Sequence, residues 1–309
     1  MKRLRVLMLA YACEPQAGSE AGIGFNIAAG MARHHDVWVI TRTRRRCAIE
    51  AAGNRPGLHF VYFDYPSWVR PLLGVQLYYY LWLASVLPLC RRLHQKHRFE
   101  LAHHVTLGRY WTWSPLAWLN VPFVWGPLGG GESAPSGLLK GIGIRAALEE
   151  FARAAARRLG EHDPLLRSAM ARCSAAIGTT PETVSRLQKL DADTVVLLGH
   201  VALNRDEVAS LARCSAPPAS PVRFISMGRL LFWKGFHLGI EAFARARLTN
   251  AQYWIVGEGR QEVQLRSLAS QSDMGDRIMF FGGLSRRDAL EKLAQCHVLI
   301  HPSLHDSGG

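Results

Sequence analysis

The sequence lacks closely spaced cysteines. Its six cysteines stand at positions 13, 47, 90, 173, 214 and 296, and no two are nearer than 34 residues. That spacing excludes a CxxC redox pair and a zinc knuckle, which need thiolates close together in the chain. Reduced thiols in a cytoplasmic protein are the expectation. Acidic residues are scarce too: 24 Asp and Glu stand against 37 Lys and Arg, a formal net charge of +13. Such a field draws phosphorylated small molecules, anionic lipid surfaces or nucleic acid. No recognisable nucleic-acid module accompanies the charge, so nucleic acid is not an expected partner. Repeats of fixed period and low-complexity tracts are also missing. What remains is globular: 309 residues, 49% hydrophobic and 20% charged. That length suggests about two domains, each with its own core.

The N-terminus, MKRLRVLMLAYACEP, has an apolar run of only a few residues before Glu14-Pro15. A first buried strand is expected there, not a targeting segment. Pro71 to Cys90 is twenty residues without charge, followed by Arg91, Arg92, His94, Lys96, His97 and Arg98. Length alone permits a spanning helix. Gly74, Gln76, three tyrosines and two prolines interrupt the run. Three readings stay open: a span, an interfacial helix, or a plain buried or groove-lining helix.

Short apolar runs mark strands at Leu4–Leu9, Val37–Ile40, Leu58–Phe63, Leu101–Val105, Val121–Trp125 and Ala175–Gly178. Helical periodicity lies between several of them, as in Ile23, Ile27 and Met31. Alternation of this kind predicts a parallel sheet covered on both faces. The stretch 215–221, SAPPASP, reads as a stiff connector. Beyond it the alternation restarts. Strands are expected at Val222–Met227, Gln252–Val256, Arg277–Phe281 and Val298–His301, with helices near 235–247, 260–271 and 285–296. Ser285 with Asp288 forms a capping box for the last of these. The expected domains are therefore 1–214 and 222–309, two α/β units in tandem. Such sheets bind ligands beyond the carboxyl ends of their strands.

Candidate chemistry gathers at those ends. Gly228 and Arg229 close the strand VRFISM, and Lys234 precedes the next helix. Two cations near a helix N-terminus suit a diphosphate, although a pair of ordinary surface cations has the same pattern. Gly257, Glu258 and Gly259 follow the strand YWIV, where glycine permits a tight turn or close approach. Asp306 can accept hydrogen bonds from sugar hydroxyls, and the amides of Ser307, Gly308 and Gly309 can approach phosphate oxygens. In the first unit, Ser19, Glu20, Gly22 and Gly24 lie in a loop that is not GxGxxG. Gly129, Gly130, Gly131 and Glu132 follow the strand VPFVW and read either as a loop approached closely by a ligand or as a flexible turn. His103 and His104 are placed at the end of the fourth strand, on opposite faces. No third metal ligand accompanies them, so no metal site is expected. Thr41-Arg42-Thr43-Arg44-Arg45-Arg46 ends the second strand without an acidic ribose ligand and leaves an NADP site open as an alternative.

Taken in order, YACEPQAGSEAGIGFN, AHHVT, VWGPLGGGE, SMGRLLFWKG, WIVGEG and FFGGLSRRDALEKLAQCHVLIHPSLHDSGG resemble the retaining GT-B glycosyltransferases of group 1, family 4. The resemblance implies two Rossmann-like domains facing a cleft, a nucleotide-sugar donor, no cofactor and no metal. It implies that Arg229 and Lys234 hold the donor diphosphate and that Gly257–Gly259 and Gly282–Arg286 wall the nucleoside. The loop after Ser19 then meets donor phosphates and acceptor, and His103, or failing that His104, lies near the transferred sugar. The reaction implied is front-side transfer of a hexose-type sugar with retention, to a lipid-linked or surface-polysaccharide acceptor. The place implied is the cytoplasm, peripheral to the membrane where Lys140, Arg145, Arg153, Arg157 and Arg158 meet anionic lipid.

Two departures from the family pattern stand out. Asp306 occupies a position where the family has Glu, and the second Glu, eight positions on, falls past Gly309. A C-terminally truncated second domain is therefore the expectation. An inactive fragment with residual nucleotide or membrane binding is the alternative function, ahead of an NADP oxidoreductase.

Overall fold

The computed structural model describes residues 2–139, 144–199, 205–214, 217 and 219–307. The chain divides into two compact units. The first takes residues 1–132 and 152–203, the second residues 133–151 and 204–307. The second thus begins ahead of the 215–221 connector and also claims a segment from the middle of the chain.

The first unit contains β1 (Arg5–Ala10), α1 (Ser19–Ala32), β2 (Asp36–Thr41), α2 (Arg46–Ala51), β3 (Leu58–Tyr62), α3 (Val69–His97), β4 (Leu101–Thr106) and β5 (Phe123–Leu128). It continues with α4 (Ile144–Glu161, whose first residues group with the second unit), α5 (Pro164–Met170), β6 (Ala175–Gly178), α6 (Pro181–Gln188) and β7 (Val195–Leu197). All seven strands pair in parallel, in the order β3-β2-β1-β4-β5-β6-β7. The two-residue period of a strand sorts its side chains between two faces. Val6, Met8 and Ala10 of β1 pack with Phe25 and Ala28 of α1. Leu7, Leu9 and Tyr11 belong to the opposite core, with Trp82 and Leu83 of α3 and Met170 of α5. Both faces are covered, which is why β1 reads as a continuous apolar run.

The stretch from Pro71 to Cys90 is a core helix on one side. Tyr78, Tyr79, Trp82, Leu83, Val86 and Cys90 are buried in the first unit. Gly74 interrupts α3 with φ 68° and ψ 174°, a conformation that glycine tolerates and that turns the first residues off the helix axis. One strand, β7, was not anticipated, because TVVLLG is too short and too exposed to show a period.

The second unit contains α7 (Arg205–Ala212), β8 (Val222–Met227), α8 (Phe236–Ala246), β9 (Ala251–Val256), α9 (Glu262–Ser270), β10 (Ile278–Gly282), α10 (Arg286–Ala294) and β11 (Val298–Leu299). The four strands are parallel, in the order β10-β9-β8-β11. Ile240 and Phe243 of α8 and Leu265 of α9 close over Tyr253 and Ile255 of β9. The N-cap half of the expected capping box is present: Ser285 Oγ accepts from the Asp288 amide at 3.2 Å, while the Asp288 carboxylate accepts from Ser285 Oγ at 2.7 Å. β11 is a short edge strand, and its Val298 and Leu299 are exposed.

Candidate functional site

Three strand ends of the second sheet turn on glycine at the same edge. Gly228 follows β8, Gly257 follows β9 and Gly282 ends β10, all with positive φ. These turns are laced together by backbone. The Gly228 amide donates to Val256 O at 3.0 Å, the Gly257 amide to Gly282 O at 2.8 Å, and the Leu230 amide to Glu258 O at 2.9 Å. A Cβ on Gly257 would lie 1.8 Å from Gly228 O, so only glycine lets these two turns meet. Glu258 is exposed at this edge, and its carboxyl lies over Gly283.

Arg229 and Lys234 leave the same loop. Arg229 is exposed, and no hydrogen bond or ion pair is seen for it among the described residues. Lys234 sits in a single 3-10 turn, Phe232–Lys234, ahead of α8. Gly235 then takes a left-handed conformation, φ 68°, against the carbonyl of Pro302. That contact brings the loop after β11 onto the loop after β8. Leu304 is buried with Phe232 and Ala146, and its amide donates to Trp233 O at 2.7 Å. Ser303 Oγ donates to the same carbonyl at 3.1 Å and to His305 O at 3.0 Å.

The anchored loop presents Asp306 to Lys234. The two form an ion pair in which each side chain is about four-fifths buried, with relative exposures of 21% and 21%. His301 Nε2 approaches the same carboxylate oxygen at 3.3 Å. Asp306 is thus held by Lys234 and His301. Ser307 adjoins it, while Gly308 and Gly309 lie outside the described residues. His301 and His305 were not singled out from sequence. His305 stacks on Trp233 at 6.1 Å between centroids, and its Nε2 lies 2.9 Å from Glu150 Oε1. The recurrence of His, Trp and Asp within one loop pair was the available signal. Arg286, expected at the nucleoside wall, is instead held by Glu207 of α7 at 2.8 and 3.4 Å.

The first-unit candidates are placed differently. β4 continues through Val105 to Thr106, which pairs with Ala10 of β1, so His103 and His104 lie inside the strand and not at its end. β-branched Val105 and Thr106 carry the strand past the histidines. His103 Nε2 is 2.8 Å from Gly126 O, and His104 lies 2.9 Å from Ser114 Oγ and stacks on Trp125. Burial lowers His103 to about 4. Burial, with the neighbouring His103, lowers His104 to about 3. Both rings are therefore neutral near pH 7 and engaged within the fold.

Ser19 and Glu20 open α1, and the Glu20 carboxylate accepts from the Leu107 amide at 2.6 Å. Gly22 and Gly24 are buried where α1 lies on the sheet, and a Cβ on Gly24 would meet Ala12 O at 2.2 Å. Gly129 donates its amide to Gly108 O at 2.8 Å. Gly130 and Gly131 are crowded by Trp111 and Thr183. Glu132 is buried and accepts from Thr180 Oγ1 at 2.7 Å and Thr183 Oγ1 at 2.9 Å. This loop is neither flexible nor open, because the protein itself supplies the close approach. Arg153, Arg157 and Arg186 all donate to its carbonyls. Arg153 and Arg157 were expected to face lipid; they turn inward because those buried carbonyls need donors. Lys140 lies outside the described residues, as does the Arg145 side chain. Of the arginines considered for a 2′-phosphate, Arg42 pairs with Asp64, Arg45 with Glu14 and Arg46 with Glu50.

Residues 213–309 match the family described as glycosyl transferases group 1. The lipopolysaccharide core biosynthesis glycosyltransferase LpsE of Rhizobium meliloti is 29% identical over 154 residues, 49% of this chain and 44% of its own length. A 2-deoxystreptamine N-acetyl-D-glucosaminyltransferase of Streptomyces fradiae is 29% identical over 246 residues, 74% of this chain and 55% of its own. The chain spans about half the length of these curated relatives. Sucrose-phosphate synthase from Thermosynechococcus elongatus superposes with a TM-score of 0.63 at 17% identity, over 99% of this chain and 77% of its own. Anabaena HepE in complex with UDP-glucose does so with a TM-score of 0.54 at 15% identity, over 97% and 74%. The fold is α/β of the GT-B type, with two Rossmann-like units. Residues 213–309 thus resemble the group 1 glycosyltransferases, in a chain whose fold is of the GT-B type.

Proposed function

We propose that this chain binds a nucleoside diphosphate hexose at the edge of its second sheet and transfers the sugar, with retained configuration, to a lipid-linked or surface-polysaccharide acceptor. One observation carries the reading: Lys234 pairs with Asp306 in a loop that also carries exposed Arg229, beside glycine turns at the ends of three strands. The diphosphate sits between Arg229 and Lys234 at the start of α8, where the helix dipole adds to their charge. As it arrives it competes with Asp306 for Lys234. The released carboxylate then accepts a hydrogen bond from a sugar hydroxyl. When the bond to the anomeric carbon breaks, negative charge grows on the leaving phosphate. Arg229 and Lys234 neutralise it, and positive charge placed at the leaving group lowers the barrier without a metal ion.

The relatives support the classes named. LpsE acts in lipopolysaccharide core biosynthesis, and HepE, which shares the fold, was solved with UDP-glucose. The test is a thermal-shift screen of nucleotide sugars, with UDP-glucose first, on the chain and on Arg229→Ala and Lys234→Ala. A donor should raise the midpoint, and each substitution should remove most of the rise. A rise that survives both substitutions would place the site elsewhere. The anomeric configuration of the product, read by NMR, tests retention; inversion would refute it.

A further inference from the structure

The loop after β11 carries one side chain that the donor reading leaves without a task. His301 lies two residues past β11, on backbone that is fixed on either side. Ile300 donates its amide to Ile225 O at 2.8 Å, and its carbonyl accepts from Ser226 Oγ at 2.6 Å. Pro302 has its own φ restricted by the pyrrolidine ring, and its carbonyl lies against Gly235. Leu304 is buried, and its amide is bonded to Trp233 O. The root of the His301 side chain therefore has little freedom.

The two nitrogens of its ring differ. Nε2 stands 3.3 Å from Asp306 Oδ2, the oxygen that also meets Lys234. An ionised carboxylate only accepts, so a proton shared between them belongs to Nε2. In a neutral imidazole that assignment leaves the lone pair on Nδ1. For Nδ1 no hydrogen bond is seen among the described residues, and the atom is not buried. The His301 side chain is 43% exposed and that of Asp306 is 21% exposed, so the imidazole is the accessible end of the pair. When a diphosphate takes Lys234, Asp306 keeps His301. A partly buried carboxylate that has lost a cation holds its remaining donor more firmly.

We infer, resting on the donor reading of this edge, that His301 binds the transferred sugar: Asp306 fixes its Nε2–H, and its Nδ1 accepts a hydrogen bond from a sugar hydroxyl. Asp306 and His301 then meet two different hydroxyls of one hexose, the carboxylate from the inner side of the pair and the imidazole from its exposed side. The arrangement separates the parts of the ligand. Lys234 and Arg229 answer to the diphosphate, which every nucleoside diphosphate carries. His301 answers only to the sugar, so it distinguishes a nucleotide sugar from the bare nucleotide. The acceptor lone pair is available because Asp306 holds the other nitrogen; an imidazole free to exchange tautomers would offer it only part of the time.

The experiment is calorimetry of the intact chain with UDP and with UDP-glucose, read as the ratio of the two dissociation constants. His301→Ala should shift that ratio about fivefold against UDP-glucose, the loss of one hydrogen bond, and leave UDP bound as before. His301→Asn, which keeps an acceptor close to the Nδ1 position, should recover part of the shift. A second measurement uses the parent chain and so needs no variant to fold. With nitrogen-15 histidine at pH 8, the Nδ1 signal of His301 should move with UDP-glucose and stay in place with UDP. A ratio that His301→Ala leaves unchanged overturns the inference, as does an Nδ1 signal that moves equally with both ligands. Failure of the donor reading has a different signature: UDP then does not bind, or binds equally well to Lys234→Ala, and the sugar contact falls with it.

Discussion

His103 and His104 make the first unit sensitive to mild acid. Both are buried in β4 and neutral, with values lowered to about 4 and about 3 chiefly by burial. In the unfolded chain each titrates near 6.5. Between those limits the unfolded state binds more protons than the folded one, so stability rises with pH. It is fully present above about 6.5 and drains away as pH falls toward the folded values. From pH 7 to pH 5 each histidine costs about 2 kcal/mol, and the pair about 4 kcal/mol. This window is set by the unfolded reference, since both folded values lie below it. Urea unfolding at pH 7, 6 and 5, followed by tryptophan fluorescence, measures the loss. Other carboxylates titrate as well, so the informative quantity is the difference from a variant. His103→Gln with His104→Gln should be less stable at pH 7 but should lose about 4 kcal/mol less between pH 7 and pH 5. Identical losses in variant and parent would refute the reasoning, because the histidines would then be protonated in the fold or not buried in it.

Gly235→Ala combines a left-handed backbone with a Cβ 2.0 Å from Pro302 O, so it should destabilise the second unit by about 1–3 kcal/mol and weaken donor binding with it. A normal melting temperature would show that the two loops are not in contact. Asp306→Asn removes the charge that competes with the diphosphate for Lys234, and should tighten diphosphate binding while lowering transfer; an unchanged transfer rate would remove Asp306 from the site. Transfer should persist in EDTA, since the proposed charge comes from Arg229 and Lys234; loss restored by a divalent ion would contradict that. A thiol reagent should label exposed Cys47 and Cys214 well before buried Cys13, Cys90 and Cys173. Cys13 is raised to about 12 and Cys173 to about 11 by burial. Equal rates would mean that the first core is open.

The sequence by itself determined the fold class and the glycine-turn edge of the second sheet. Strands buried on both faces leave uninterrupted apolar runs, and most appear within a residue or two of their observed places, as in Val222–Met227, while β5 runs three residues past the expected Trp125. Gly228, Arg229 and Lys234 were legible because a strand end followed by a cation and a helix start is a local pattern. Only the tertiary structure decided what is non-local. Asp306 meets Lys234 across 72 residues, a pairing that depends on β11 lying beside β8. The glycines after β5 were legible as close-approach positions, but not that Trp111 and Thr183 are what approaches them. The histidine pair was visible as two ligand-capable side chains. Their burial, and hence their neutrality, came from the neighbours on either side of β4. Residues 71–90 show the division most clearly. Composition made them apolar, but which side chains point into the core and which are left exposed follows from how α3 lies on the first sheet. A helix has two faces, and sequence spacing alone does not say which of them the rest of the chain will cover.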